Sequence, residues 1–158
     1  MAKLAKVFKL SFAELFILLE AWIVFFKWDL LISFTRYENW RNKMSALPDP
    51  LELNCSTAET KATVPEQVKL IIKLSEIAGR AHIRKMNCLR RCLSQQQMLL
   101  KRGLATRMHI GVNIEDEKLK AHAWLTFHGE VINDSNDVTN RYSELKAANQ
   151  HSILNTLK

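Results

Sequence analysis

The chain has 158 residues, 47% hydrophobic and 25% charged, a balance typical of a single globular domain with a real core. The formal net charge of +7 favours an acidic partner or a membrane surface. Because aromatic residues are not interleaved with the basic ones, we expect no nucleic-acid partner. The absence of a glycine-rich phosphate loop argues against nucleotide binding. Three cysteines without a secretory cleavage site predict free thiols in a reducing cytoplasm.

Residues 11–35 are the most apolar stretch and are predicted to form one helix. Ser11 is a suitable N-cap, and Glu14 completes a capping box. Three charged residues interrupt the apolar run and argue against a membrane-spanning helix: Glu20, Lys27 and Asp29. Two interpretations stay open. The helix packs on its own domain or on a partner, or it lies in a membrane interface with the help of the preceding lysines Lys3, Lys6 and Lys9.

Residues 45–64 show no periodicity and are predicted to be a linker. We therefore place a boundary near residue 60. An apolar helical region and linker occupy residues 1–60, and the second domain occupies residues 61–158. This second domain is predicted to open with a helix that begins near Pro65 and ends at Gly79.

Within the second domain, helices are followed by strands. A helix that begins after the N-cap Asn87 and stops at Gly103 carries Cys88 and Cys92. Strands are predicted at 104–112, 121–127 and 130–133, with a charged loop at 115–120 and a turn at His128-Gly129. The residues after Asp134 are predicted to be a weakly structured tail or a short helix. Helices followed by an antiparallel sheet predict an α+β fold.

Cys88 is the candidate nucleophile because it directly follows the N-cap. A thiol reacts as the thiolate, and the N–H groups and dipole of a helix N-terminus lower the pKa of a thiol placed there. The same N–H groups suit the oxyanion that forms when an acyl carbon is attacked. Cys92 lies one turn deeper and is expected to pack in the core. From position alone, a buried structural role for Cys88 is as well supported as the nucleophilic one.

His122 and Asp134 are the candidate base and orienting carboxylate. If the turn is a three-residue loop at 127–129, His122 lies directly opposite Asp134, with Cβ atoms about 5 Å apart. Asp134 would then accept the Nδ1 proton and direct Nε2 at the thiol, as in a catalytic triad. A two-residue loop would shift this register by one. Glu130 and Asp137 are the alternative orienting residues.

A zinc site is another use of the same residue types. Cys88 and Cys92 lie four residues apart on one helix face, and the candidates to complete a site are His109, His122 and His128. However, only one such cysteine pair is present, and its spacing is at the edge of the usual range for zinc ligands. We therefore expect neither a metal nor another cofactor.

The ordered motifs resemble the lasso-peptide biosynthesis B proteins, a family of transglutaminase-like cysteine proteases. The resemblance is carried by Cys88-Leu89-Arg90-Arg91, Leu93, Leu99, Arg102-Gly103, Ile110-Gly111-Val112, Ala121-His122-Ala123-Trp124, Gly129 and Asn133-Asp134. The apolar segment at 18–22 also resembles the leading helix of that family, so the resemblance covers most of the chain and is tightest over 87–135. Thr126 stands where the family usually has an acidic residue, and Cys92 replaces a small residue.

The resemblance implies a transglutaminase-like or papain-like α+β core, in which the cysteine helix packs on a small antiparallel sheet. It also implies the triad Cys88, His122 and Asp134 as nucleophile, base and third member. The implied activity is removal of the leader peptide from a ribosomally synthesised lasso-peptide precursor, which frees the core N-terminus for macrolactam formation.

The resemblance further implies three partners: the precursor peptide, an asparagine-synthetase-like lasso cyclase and a separate leader-binding protein of the PqqD-like type. The last is expected because residues 1–60 are too apolar and helical to form a leader-binding winged helix. Four basic residues are candidates to steer an acidic leader or this partner: Arg84, Lys85, Arg90 and Arg91. We expect a cytoplasmic protein with possible peripheral membrane contact through 11–35. The alternatives are an acyl transferase or general peptidase acting on another substrate, and an inactive membrane-linked adaptor.

Overall fold

The computed structural model describes residues 11–35, 64–115 and 117–145. Its helices are α1 (Phe12–Phe34), α2 (Glu66–Ala81), α3 (Cys88–Leu100) and α4 (Val138–Arg141). Its strands are β1 (Arg107–Glu115), β2 (Lys118–Phe127), β3 (Glu130–Val131) and β4 (Ser143–Glu144). They form one antiparallel sheet in the order β3-β2-β1-β4, and α3 packs against β2. The α+β prediction is confirmed. The predicted domain boundary near residue 60 lies outside the described residues.

One face of α1 packs on α2 and α3 and contributes to the core. Its apolar buried residues recur at helical spacing: Ala21, Val24, Phe25, Trp28 and Ile32. The predicted capping box is confirmed, because Ser11 and Glu14 each bond the other's backbone N–H. The predicted end of α2 at Gly79 is wrong, since the helix continues to Ala81. Gly79 instead lies within the helix, beside the ring of Phe25 on α1.

The carboxylates that interrupt α1 pair with basic residues of α3 and of the segment before it. Asp29 is 1% exposed, and its Oδ1 lies 2.9 Å from Nε of the buried Arg90. Its Oδ2 lies 3.1 Å from Nε of Arg84. Near the other end of α3, Glu20 pairs with Lys101 and Arg102. The charges in this apolar helix are therefore explained by packing on its own chain, which was the first of the two interpretations.

The opposite face of α1 is an apolar stripe exposed to solvent. Its members are Phe12, Leu15, Phe16, Leu19, Ile23, Phe26, Leu30 and Phe34. Lys27 is the one charged residue among the exposed residues of this helix. Among the helices that the structure describes, none has the length and hydropathy that a membrane crossing requires.

The turn between β1 and β2 differs from the prediction, whereas the turn between β2 and β3 lies where it was predicted. β1 extends to Glu115 and β2 begins at Lys118. Most of the segment predicted to be a charged loop, 115–120, therefore belongs to the two strands, which a tight turn connects. His128 and Gly129 both have positive φ, 48° and 81°, and form a two-residue turn. Phe127 therefore pairs with Glu130, which confirms the predicted turn at His128-Gly129. The three-residue loop that would have placed His122 directly opposite Asp134 is not the one formed, and the two-residue alternative is correct.

The end of the described chain is more ordered than predicted. The third strand stops at Val131 rather than at residue 133. After Asp134, the chain forms the short helix α4 and then β4, which pairs with β1 at Gly111 and Val112. The short helix was one of the two predicted outcomes, whereas the fourth strand was not predicted.

The buried pair between α1 and α3 gives a stability prediction. Asp29→Ala should lower the free energy of unfolding by about 3 kcal/mol, because Arg90 is left buried without its countercharge. Urea unfolding followed by circular dichroism measures this loss. Glu66→Ala is the matched control, because it removes an exposed pair with Lys69 and should change stability by less than about 0.5 kcal/mol. Equal effects of the two substitutions would contradict the role assigned to Asp29.

Candidate active site

Cys88 is the first residue of α3. The side chain of Asn87 accepts a hydrogen bond from the N–H of Arg90 at 3.0 Å and caps the helix, as predicted. The helix ends near Gly103, which has a φ of 72° and follows the last turn. The thiol of Cys88 is therefore at the helix N-terminus and is partly buried.

The Cys88 thiol lies at the outer edge of β2. The ring of His122 and the backbone N–H groups of Ala123 and Leu89 are close enough to the thiol to lower its pKa. The Ala123 N–H points away from β1, because N–H groups two residues apart in a strand point the same way and that of Leu125 bonds Asn133. The thiol thus occupies the position in which the carbonyl of an additional strand would accept a hydrogen bond from the Ala123 N–H.

His122 connects the thiol to Asp134. Its Nε2 lies 2.5 Å from Oδ2 of Asp134. The ring therefore uses Nδ1 for its hydrogen bond to Cys88, so the predicted assignment of the two nitrogens is reversed. The other oxygen of Asp134 accepts the N–H of Ser135 at 2.7 Å, and this bond fixes the orientation of the carboxylate. The three residues selected from the sequence are thus brought together, and their catalytic roles stay a prediction.

Asp134 reaches His122 by a route that strand register did not predict. The N–H of Ile132 continues the β2 pairing, with a 3.0 Å bond to the carbonyl of Leu125. Next, the side-chain Oδ1 of Asn133, rather than a backbone carbonyl, accepts the N–H of Leu125 at 2.8 Å. A side chain thus replaces the backbone in the ladder, the chain bends away from β2, and Asp134 turns toward the imidazole.

Asn133 is a structural member of the site whose role the sequence did not reveal. Its Nδ2 lies 3.3 Å from the Cys92 sulfur and 2.8 Å from Oε1 of Gln95. Gln95 in turn donates to Ser75 and Glu76 of α2. This buried network joins the Asp134 segment to two helices. Asn133 belonged to the motif that carries the resemblance, but no sequence signal marked Gln95 or Glu76.

The imidazole of His122 is held between aromatic rings. Tyr142 stacks on it with ring centroids 5.0 Å apart, and Trp124 lies on the same strand face at 6.4 Å. Gly111, opposite His122 on β1, has no side chain to obstruct this packing. A Cβ there would lie 2.9 Å from both the Trp124 ring and Tyr142 Cβ, so glycine is required for this close approach.

The environment shifts three pKa values in the direction of an ion pair. Burial opposes ionisation of Cys88, but the hydrogen bonds from His122 and from the two N–H groups outweigh it and lower the pKa of the thiol. The bond to Cys88 raises the pKa of His122 against the effect of burial, and Asp134 adds to the rise. Burial opposes ionisation of Asp134 too, but hydrogen bonds from His122 and Ser135 hold its pKa below the ordinary value. The shifts of Cys88 and His122 therefore both act toward the ionised forms, a thiolate and an imidazolium.

The second cysteine of α3 has the opposite electrostatics. Cys92 is buried, and burial raises the pKa of its thiol far above the ordinary value. It packs in the core, as expected. In the part of the chain that the structure describes, no group of three or more cysteine, histidine or carboxylate side chains is arranged to hold a metal ion.

The other candidate residues are engaged elsewhere. Asp137 pairs with Arg141 at 3.0 Å and not with His122. Of the four basic residues considered for steering, Arg84 and Arg90 pair with Asp29, and Arg91 pairs with Glu76 at 2.7 Å. These three positive charges are therefore paired with two carboxylates, Asp29 and Glu76, which weakens the steering hypothesis.

Comparison with known families identifies the class of protein. A family model described as the transglutaminase-like superfamily matches residues 31–147, about three quarters of the chain. The chain therefore belongs to the transglutaminase-like superfamily, and the match includes the end of α1 as well as the thiol and its neighbours. Searches of curated proteins and of solved structures give no match.

The shifted pKa values predict how the thiol reacts. At pH 7, iodoacetamide should alkylate Cys88 faster than an unperturbed thiol, because a larger fraction is thiolate. His122→Ala should raise the pKa of Cys88 and slow its alkylation several-fold at pH 7. At high pH the rate should be nearly unchanged, because Cys88 is then ionised in both the wild type and the variant. Peptide mapping by mass spectrometry separates Cys88 from the other cysteines.

His128→Ala is the matched control, because His128 lies at the exposed turn and should not affect this profile. Cys92 should stay unlabelled while the protein is folded. Identical pH–rate profiles for the wild type and His122→Ala would contradict the ion pair.

Proposed function

We propose that the chain is a cysteine peptidase that removes the leader peptide from a ribosomally synthesised lasso-peptide precursor. The observation that carries the peptidase assignment is the placement of the Cys88 thiol beside His122, whose ring bonds Asp134 at 2.5 Å. The superfamily includes cysteine peptidases and acyltransferases, which supports the same chemistry. The choice of substrate is supported by the ordered motifs between residues 87 and 135 that resemble the lasso B proteins.

In the proposed reaction, the Cys88 thiolate attacks the carbonyl carbon at the leader–core junction. In this proposal, N–H groups at the start of α3 stabilise the oxyanion that forms on the attacked carbonyl. Protonated His122 gives its proton to the departing amine of the core, and the leader remains as a thioester on Cys88. Water then loses a proton to His122 and attacks the thioester, which releases the leader acid and restores the thiolate.

Asp134 has a positioning role in this proposal. Its bond to Nε2 holds the ring so that Nδ1 faces the sulfur, and its negative charge stabilises the imidazolium. The partners proposed with this activity are the precursor, a separate leader-binding protein and a cyclase that uses the freed amine.

Cleavage of a candidate precursor, in the presence of the leader-binding protein, tests the proposal by mass spectrometry of the products. Cys88→Ala should abolish cleavage, whereas Cys92→Ala should retain it. Asp134→Asn should lower the rate by about a hundredfold or more, because the imidazole loses its orienting charge. Asp137→Asn is the matched control and should leave the rate unchanged.

Two outcomes would overturn the assignment. Cleavage that survives Cys88→Ala would exclude Cys88 as the nucleophile. If the released leader has gained the mass of an amine instead of the mass of water, the protein is an acyl transferase.

We also propose that the apolar stripe of α1 contacts an anionic membrane surface. The support is its continuous exposed apolar face, the absence of acidic residues among the exposed residues of this helix, and the three lysines that precede it in the sequence. The protein should float with vesicles that contain phosphatidylglycerol, and Phe16→Ser with Ile23→Ser should reduce flotation. Ile77→Ser on α2 is the control for an exposed apolar residue elsewhere. Flotation unchanged by the α1 double substitution would refute the contact.

A further inference from the structure

Among the residues that the structure describes, none pairs as a strand with the outer edge of β2 immediately beside the Cys88 thiol. β1 pairs with β2 from Lys118 to Thr126 on one side, but on the other side β3 pairs only with Thr126 and Phe127. Between these positions and the hairpin, the edge is covered by the Asn133 segment at Leu125 and by the thiol at Ala123. Within the described part of the chain, no strand pairs with this edge from Lys118 to Ala121.

The direction of the free backbone groups follows from the observed bonds. Leu125 directs both its N–H and its carbonyl away from β1, to Asn133 and Ile132. In an antiparallel strand this direction repeats at every second residue, so Ala121 and Leu119 also direct their N–H and carbonyl groups outward. Among the described residues, no hydrogen-bond partner takes up these outward groups. They form a template for one more strand, in line with the thiol.

Distance favours a short peptide in this position. Ala121 lies two residues from Ala123, a spacing of about 7 Å along a strand. A peptide residue that pairs with Ala121 is therefore one or two residues away from a carbonyl held at the Cys88 sulfur. Along the same edge toward β3, the Asn133 segment already covers Leu125, so an extended chain has room only toward Lys118.

An apolar surface lies beside this edge. Leu119 and its partner on β1, Ile114, face the same side of the hairpin and are 52% and 75% exposed. An added strand gains affinity from backbone hydrogen bonds, and alternate side chains give specificity where they meet such a surface. The neighbouring Lys120 is engaged by Glu115. The chemistry at this edge therefore suits an extended peptide with an apolar residue.

We propose that the peptide segment on the acyl side of the scissile bond binds as an additional strand along Lys118–Ala121, with an apolar side chain against Leu119 and Ile114. This subsite rests on the proposed peptidase function. The acyl side is the relevant one because it stays covalently attached to Cys88 after the amine leaves, and the strand hydrogen bonds hold it through hydrolysis. The backbone N–H and carbonyl groups of Leu119 and Ala121 are the binding groups.

The test uses an acetylated Leu-Ala-Gly chloromethyl ketone and the same probe with N-methylated amides. In each case the Cys88 sulfur displaces chloride and forms a thioether, which mass spectrometry quantifies without any need for cleavage. The unmodified probe should label the wild type about tenfold faster than the N-methylated one, because N-methylation removes the donors of the strand hydrogen bonds. Equal rates for the two probes would overturn the subsite.

Leu119→Pro removes one outward N–H without breaking the β1 ladder, since that N–H points away from β1. It should slow labelling by the unmodified probe several-fold and leave alkylation by iodoacetamide unchanged, which shows that the fold and the thiol are intact. Leu119→Ala is the matched control, because it removes the side chain but keeps the N–H, and it should retain the sensitivity to N-methylation. A proline variant that labels at the wild-type rate would count against the subsite.

The two proposals fail separately. If the precursor is not cleaved but the two probes keep their difference in rate, the edge binds peptides and the lasso substrate is wrong. If the precursor is cleaved and the probes react equally, the peptidase assignment stands and the strand subsite is wrong. A Leu119→Pro protein that does not fold leaves the comparison of the two probes on the wild type as the deciding measurement.

Discussion

The site depends on the docking of the N-terminus of α3 against the open edge of β2. Because no strand of the described segments pairs with that edge at Ala123, the Ala123 N–H is available to the Cys88 sulfur. The same placement brings the thiol to His122, the preceding residue of the strand. A complete ladder on this side of β2 would have used the Ala123 N–H for a backbone bond and would have covered the thiol.

The position of α3 is fixed by polar contacts within an otherwise apolar core. Carboxylates of α1 hold α3 near both ends, through Arg90 near the thiol and Arg102 just after the last turn. Between them, the indole N–H of Trp28 donates to Gln97 at 2.9 Å. Buried ion pairs contribute little net stability compared with apolar packing, but they are strict about geometry. We therefore interpret the charges of α1 as the groups that set the position of α3 and, with it, the position of Cys88 along the edge of β2.

The carboxylate side of the site depends on one amide. Asn133 takes the place of a strand residue at Leu125 and at the same time bonds Gln95 in the core. Its two ends hold the bend that directs Asp134 at His122. The arrangement also explains why the site has a free side, since the chain leaves β2 at this bend and does not continue along it toward Lys118. The bend and the open edge beyond the thiol therefore have the same structural origin.

The sequence alone determined the elements in which local chemistry acts. The capping box of Ser11, the Asn87 cap and the glycine after α3 were all predicted correctly, since each depends on residues within a few positions of one another. The placement of Cys88 at a helix N-terminus and the α+β order followed from the same local rules. Long-range register was different. The expected pairing of His122 with Asp134 assumed a three-residue loop, whereas His128 and Gly129 form a two-residue turn.

Only the tertiary structure decided how the candidate residues meet. His122 and Asp134 are in contact, as expected. The contact arises because the side chain of Asn133 takes the place of a backbone carbonyl in the strand pairing. The periodicity of the sequence does not predict such a replacement. The reversal of the two imidazole nitrogens, the stacking of Tyr142 and the pairing of Asp29 with Arg90 likewise join residues far apart in the chain. The physical reason is that caps and periodicity are properties of a few neighbouring residues. The direction of a side chain in a site, by contrast, is set by everything that packs around it.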